Sequence, residues 1–346
     1  MNLKFKPKII HIDLTGKCNF RCLHCRGRVD ENNHISKEKV IDILTQINTN
    51  WGDEVEWIEL GGGEPLLYPY LYEIIEFIKK NTKMKIILVS NAYFCNLEKL
   101  KKLKEIGLDR IQFSLDSYKK ETHNYIRQNK LSYDKVVEAS QNCVLLNIPF
   151  VLRLTIMNIN KDDIEDFFKF AKDLGADEVG LRGCIYMGYA NLNEKELFVD
   201  KKEYFKILEQ LPKYSEKYNI HYFSGDPLAL AANKSLLQNI KDNYGTFNLY
   251  AGCSVGISYM YFNNDGNVAF CPMLNDIIIG DTNTTSIIDI WNNSKDYNIM
   301  RNRKFEGNCK DCELIQLCGG CRAYSYWETG ELYKGNLLCM YNKNDK

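Results

Sequence analysis

From Lys8 to about Ile185, two kinds of apolar run alternate along the chain. Short continuous runs rich in Ile, Val and Leu occupy residues 9–14, 55–60, 85–90, 110–115, 150–156 and 178–182. Runs of this kind read as strands buried on both faces of a sheet. Between them, segments 37–47, 70–80, 97–106, 133–146 and 161–174 repeat their apolar residues at helical spacing. Asn96 is placed to cap the third of these helices, Gly107 to end it, and Gly175 to end the fifth. Regular β-α alternation predicts a parallel sheet with right-handed crossovers. Six such units fit a partial (β/α)6 TIM-like barrel, an α/β fold whose strand C-termini open into one mouth, where ligands bind.

The pattern changes after residue 192. Segments 201–217 and 227–242 read as helices around a short strand at 220–223, a bridge between two domains. Asp226 either caps the second helix or faces the mouth. From 252 a cysteine-rich region begins. In it, segments 259–262 and 267–270 flank Asn264-Asp265-Gly266, a hairpin turn signal. The expected domains are therefore 1–192, 193–251 and 252–346.

At 346 residues the chain can bury a full core. Lys plus Arg and Asp plus Glu both number 45, and zero net charge argues against a broad nucleic-acid footprint. No apolar run is long enough to span a bilayer, and residues 1–8 lack the apolar region of a signal peptide. A cytoplasmic location is expected. In that reducing setting the 13 cysteines are not read as disulfides. Ten of them fall into two spaced groups. Cys95, Cys143 and Cys184 are left over, and buried inert thiols are the default for such residues.

The first group follows the first strand directly. Cys18, Cys22 and Cys25 sit at C-x3-C-x2-C spacing, close enough for one short loop to wrap a metal centre. Thiolates at this density hold zinc or an iron–sulfur cluster. A four-iron cluster needs four ligands, so three would leave one iron open to a small molecule. A zinc ion borrowing a fourth ligand is the alternative. After the second strand comes Gly61-Gly62-Gly63-Glu64-Pro65, whose glycines let a ligand approach the backbone and whose Glu64 offers a carboxylate to an ammonium group.

These two motifs, in this order, resemble those of the radical S-adenosylmethionine (SAM) enzymes. The resemblance implies a four-iron cluster on Cys18, Cys22 and Cys25, with SAM chelating the open iron and Gly62, Gly63 and Glu64 holding its amino group. His24 takes a position that is usually aromatic in the family. Asn91 ends the third strand, where short polar side chains can bond a ribose or a carboxylate. Ser114 and Arg127 match SAM-contacting positions, with His123 between them. Ser114 and Asp116 could instead simply cap the following helix.

The second group is Cys253, Cys271, Cys309, Cys312, Cys318, Cys321 and Cys339. Seven thiolates are too many for one zinc and too few for two all-thiolate zinc sites. With Gly266 in place, the pattern resembles the SPASM domain appended to many radical SAM enzymes. The resemblance assigns Cys309, Cys312, Cys318 and Cys339 to one auxiliary four-iron cluster, and Cys253, Cys271 and Cys321 to another. One departure is that two residues separate Cys318 from Cys321, where many members have three. Three [4Fe-4S] clusters and SAM are the expected cofactors, and reduced ferredoxin or flavodoxin the expected electron donor.

By the same resemblance the chain is an oxidoreductase. SAM is cleaved to a 5′-deoxyadenosyl radical that takes a hydrogen atom from an unactivated C–H bond. The first expectation for its substrate is a ribosomally made peptide, cross-linked or oxidised in peptide maturation. Cys18 comes too early for a preceding leader-binding module, so a separate leader-binding protein or the tyrosine-rich bridge would grip such a peptide. The bridge contains Tyr204, Tyr214, Tyr218, Tyr222, Tyr244 and Tyr250. Cys-Gly-Gly-Cys-Arg-Ala followed by Thr329-Gly330 resembles the subgroup acting on haem-like tetrapyrroles and also some peptide-modifying members. A small-molecule substrate, a haem-type tetrapyrrole decarboxylated at a propionate, is the second expectation. A sugar alcohol or protein side chain is a third possibility. A non-catalytic iron–sulfur electron-transfer protein is the reading from another class.

Overall fold

A computed structural model of the chain describes residues 5–27, 33–233 and 252–341. Six strands follow the expected runs: β1 (Ile9–Thr15), β2 (Trp57–Gly62), β3 (Lys85–Ser90), β4 (Arg110–Ser114), β5 (Phe150–Ile156) and β6 (Glu178–Gly183). Neighbours pair in parallel and in sequence order. Helices α1 (Lys37–Trp51), α2 (Leu71–Asn81), α3 (Leu97–Glu105), α4 (Lys120–Arg127), α5 (Ser132–Leu146) and α6 (Ile164–Asp173) lie between the strands. Asn96 caps α3 by accepting from the Lys99 amide.

The sheet continues beyond the expected six strands. Beside β6 it adds β7 (His221–Ser224), and beside β1 it adds β8 (Tyr259–Phe262), β9 (Val268–Cys271) and β10 (Leu274–Gly280). β8 pairs in parallel with β1, so the C-terminal hairpin prolongs the barrel wall. The ten-stranded sheet stays open. The helix expected over 227–242 forms only at Leu228–Ala232 and stops at Asn233, whose backbone is extended; residues 234–242 lie outside the described residues.

The strands also differ from the expected two-sided apolar runs. Ile10, Ile12, Ile58, Leu60, Leu152 and Leu154 are wholly buried, on the face that packs under the helices. Their alternate neighbours His11, Asp13, Glu59, Arg153 and Thr155 line an interior cavity of about 700 Å³. The period-2 alternation is physically required, because successive side chains point to opposite faces. Here the inner face encloses space rather than packed core.

Candidate active site

The cysteine loop is held to the glycine loop by backbone. Gly63 donates to the Thr15 carbonyl (2.6 Å) and Glu64 to that of Lys17 (2.9 Å). A Cβ on Gly63 would sit 2.3 Å from the Lys17 carbonyl oxygen, and one on Gly62 (φ 120°) 2.3 Å from that of Thr15. The glycines therefore admit the cysteine loop itself, a reason the sequence did not disclose. Their backbone also forms part of the cavity wall.

Each sulfur of the loop is faced by an N–H group. Cys18 Sγ receives the Phe20 amide (3.4 Å) and Asn91 Nδ2 (3.8 Å), Cys22 Sγ Arg127 Nη1 (3.7 Å), and Cys25 Sγ the Gly27 amide (3.4 Å). Burial pushes the Cys22 thiol up to about 12 and the Cys18 thiol up to about 11, so these ligands ionise only on meeting a metal. Donors aimed at three clustered sulfurs fit a thiolate-held cluster.

Glu64 is tied into the protein itself. It is fully buried and accepts from Ser90 Oγ (2.9 Å), the Leu66 amide (3.1 Å) and the Asn91 amide (2.8 Å). A carboxylate has about four acceptor positions, so three are taken by the protein. Burial raises its pKa to about 7 against these donors. The carboxylate ties the glycine loop to the end of β3 and is not presented to the cavity. His24, Asn91, Ser114 and Arg127 do line the cavity.

Asp116 joins two of those residues. Its carboxylate contacts His24 Nε2 (2.8 Å), accepts the Thr155 amide (3.0 Å) and faces Arg127 Nε at 2.7 Å. The last is an ion pair rather than an aligned hydrogen bond. Burial alone would raise the Asp116 pKa, but the Arg127 and His24 charges hold it well below the carboxylate range. Neither Ser114 nor Asp116 caps α4, which starts after Lys119 without a side-chain cap. His123 is buried behind them. Its Nδ1 accepts the Asp116 amide (3.1 Å), its Nε2 meets Ser132 Oγ (2.8 Å), and burial lowers its pKa to about 3.

Along the inner wall Arg26 grips Asp13 at 2.8 and 3.1 Å, and His11 bridges Asp13 and Glu59 at 2.9 Å each. Arg153 and Arg182 project from β5 and β6 into the same space. Sequence reasoning passed over these groups, whose only signal was a charged residue at alternate positions of otherwise apolar strands.

The far side of the cavity meets the C-terminal cysteines. Cys318 feels the charges of Cys339, Cys309 and Cys312, whereas Cys321 and Cys271 each feel that of Cys253. These charge effects agree with the set of four and set of three that the resemblance implies. Gly319 and Gly320, both left-handed (φ 65° and 56°), turn the chain sharply between Cys318 and Cys321. Arg322 Nη2 faces Cys309 Sγ and Arg182 Nη2 faces Cys321 Sγ, both at 3.7 Å. Asp226 is buried and does not line the cavity; it accepts the Leu228 amide at the start of the second bridge helix (2.9 Å) and the Tyr204 hydroxyl (2.5 Å). Cys95, Cys143 and Cys184 are buried and free. Of the bridge tyrosines, Tyr204 is core and Tyr214, Tyr218 and Tyr222 pack against it; Tyr244 and Tyr250 lie outside the described residues.

Residues 12–171 match the Radical SAM superfamily, and residues 253–313 match the SPASM iron–sulfur cluster-binding domain. An AdoMet-dependent heme synthase of Methanosarcina barkeri is 25% identical over 354 residues, spanning 98% of each chain. An Fe-coproporphyrin III synthase of the same organism is 25% identical over 99% of this chain and 90% of its own. Streptococcus suis SuiB, solved with its precursor peptide SuiA, superposes with a TM-score of 0.78 at 15% identity, covering 96% of this chain and 76% of that one. At that identity the likeness is one of fold. The end-to-end relatives overturn the peptide substrate expected first, and with it the leader-binding partner. No helix among the described residues is long and apolar enough to cross a membrane.

Proposed function

The chain belongs to the radical SAM superfamily and carries a C-terminal SPASM domain, so it uses [4Fe-4S] clusters and SAM, and from that premise we propose that it decarboxylates propionate side chains of an iron tetrapyrrole. The observation that carries this reading is the end-to-end similarity to the AdoMet-dependent heme synthase, over 98% of both chains. The cavity supports it. Its volume of about 700 Å³ lies within the range of small-molecule sites, and Arg26, Arg153 and Arg182 line it, as suits a ligand bearing several carboxylates.

When bound, the first cluster and SAM supply a carbon radical able to take a hydrogen atom from an unactivated C–H bond. The protein's part is binding, orientation and exclusion of water. Cys18, Cys22 and Cys25 would hold that cluster, with Asn91, Ser114 and Arg127 on the SAM side of the cavity. Asp116 fixes Arg127 and His24. Glu64 keeps the glycine loop and the end of β3 in register. The two C-terminal cysteine sets would hold the auxiliary clusters, and what those would supply is one-electron redox chemistry on the substrate side of the cavity. A reduced ferredoxin or flavodoxin is the proposed donor.

Anaerobic, reduced enzyme with SAM and iron-coproporphyrin III tests the reading by product mass. Each propionate that reacts should lose one carbon dioxide and a pair of hydrogen atoms to become a vinyl group, while at least one propionate is retained. An unaltered porphyrin alongside brisk SAM cleavage would refute it.

A further inference from the structure

Four arginines of the barrel are compensated by acidic or sulfur partners. Arg26 pairs with Asp13 at 2.8 Å, Arg110 with Glu178 at 2.7 Å and Arg127 with Asp116 at 2.7 Å, while Arg182 faces Cys321 and the charge of Asp226. Arg153 differs. No carboxylate of the described residues lies within ion-pair distance of it. The acid that attracts it through space is Glu59, which is already engaged by His11 at 2.9 Å.

The position of Arg153 is defined by its neighbours. On the inner face of β5 it stands opposite Ser114 of β4 and Gly180 of β6. A Cβ built on Gly225 would lie 3.4 Å from Arg153 Nη2 and 4.0 Å from Arg182 Cδ, so the two arginines flank one point of the cavity wall. Burial and the like charges of Arg182 and Arg26 both work against the Arg153 cation. A guanidinium kept charged in such a place is costly unless an anion compensates it, and its planar fork matches a carboxylate. The side of the cavity matters too. Arg182 turns toward Cys321, whereas the SAM side is that of Cys18 and Asn91.

We propose that Arg153, supported by Arg182, anchors a substrate carboxylate that survives the reaction; this rests on the tetrapyrrole reading above. The anchored carboxylate is not the one lost. A group that leaves as neutral carbon dioxide gives up its ion pair on the way, so gripping it would stabilise the ground state over the transition state. Gripping a carboxylate that is retained holds equally in both states and fixes which propionate reaches the radical. Arg153 is thus a specificity-determining residue, with no part in bond breaking.

The test is a Soret-band titration of anaerobically reconstituted wild type, R153Q and R153K with iron-coproporphyrin III and with its tetramethyl ester. Unchanged cluster absorbance serves as the folding control. Wild type should bind the acid about tenfold to a hundredfold more tightly than the ester, the span of a charge-assisted hydrogen-bonded pair. R153Q should lose most of that preference without weakening the ester, and R153K should recover part of it. A preference that persists in R153Q would overturn the role of Arg153 and leave the tetrapyrrole reading intact. Equal loss for acid and ester would make the residue merely structural and overturn it too. Loss of SAM affinity in R153Q would assign the guanidinium to the cofactor and also sink the inference. Wild type that binds neither porphyrin would overturn the reading and the inference together.

Discussion

Replacing Asp116 by Asn perturbs the site through one charge. The carboxylate is fully buried, and its partner Arg127 is only 7% exposed. The amide keeps the volume and can still accept the Thr155 amide. It removes the charge that compensates the guanidinium 2.7 Å away. Stripping one partner from a buried ion pair costs about 3–5 kcal/mol. For 346 residues, average unfolding entropies sum to about 0.7 kcal/mol/K, so the melting temperature should fall by about 4–7 °C. Differential scanning fluorimetry on anaerobic, reconstituted protein reads this directly. The sign with pH follows from the depressed Asp116 pKa. Its contribution is present above the ordinary value of 3.8 and lost as pH falls through the lower, folded value. The variant should therefore lack that part of the acid destabilisation. The double variant D116N/R127Q leaves no buried charge and should melt above D116N. An unshifted D116N melt, or a double variant showing the simple sum of both losses, would refute the reasoning.

Glu64 carries the opposite pH signature. Its folded pKa is raised to about 7, so its contribution to stability is full below its unfolded value near 4.5 and is lost as pH climbs toward 7. E64Q should flatten the melting profile across that window, and a slope equal to wild type would contradict the assignment. G63A must push a Cβ to 2.3 Å from the Lys17 carbonyl. It should cut SAM cleavage at least tenfold, about 1.4 kcal/mol of lost transition-state stabilisation, while the C-terminal clusters keep their iron; unimpaired cleavage would sink the loop-packing account. Changing Cys18, Cys22 and Cys25 together to Ala should remove about a third of the iron and all SAM cleavage. Iron unchanged by the triple variant would contradict the proposed ligand set.

Much of the barrel was legible because its signals are local. Runs such as 85–90 and 150–156 declare strands by composition, and they match β3 and β5 residue for residue. α4 escaped because Lys120–Arg127 is almost wholly polar, and it buries His123, Ile126 and Arg127 only through tertiary packing. The parallel pairing of β8 with β1 joins Tyr259 to Ile9, a long-range contact with no local trace. The cysteine sets were assigned by resemblance rather than spacing, since spacing alone would have kept Cys318 and Cys321 together. Glu64's ties within the protein were not legible, because a carboxylate beside glycines suggests only a ligand. Its protein partners, Ser90 and Asn91, lie on another strand's end. Arg153 and Arg182 stood in plain view as charges inside apolar strands, but only the cavity on the sheet's inner face turns that interruption into a site.

The central claim is that the radical made beside Cys18, Cys22 and Cys25 acts on a tetrapyrrole propionate. Its most direct test supplies anaerobic, reduced enzyme with SAM and iron-coproporphyrin III deuterated along its propionate chains, and reads the mass of the 5′-deoxyadenosine formed. The account predicts one deuterium carried into 5′-deoxyadenosine for each carbon dioxide released. Unlabelled 5′-deoxyadenosine with no carbon dioxide would contradict it.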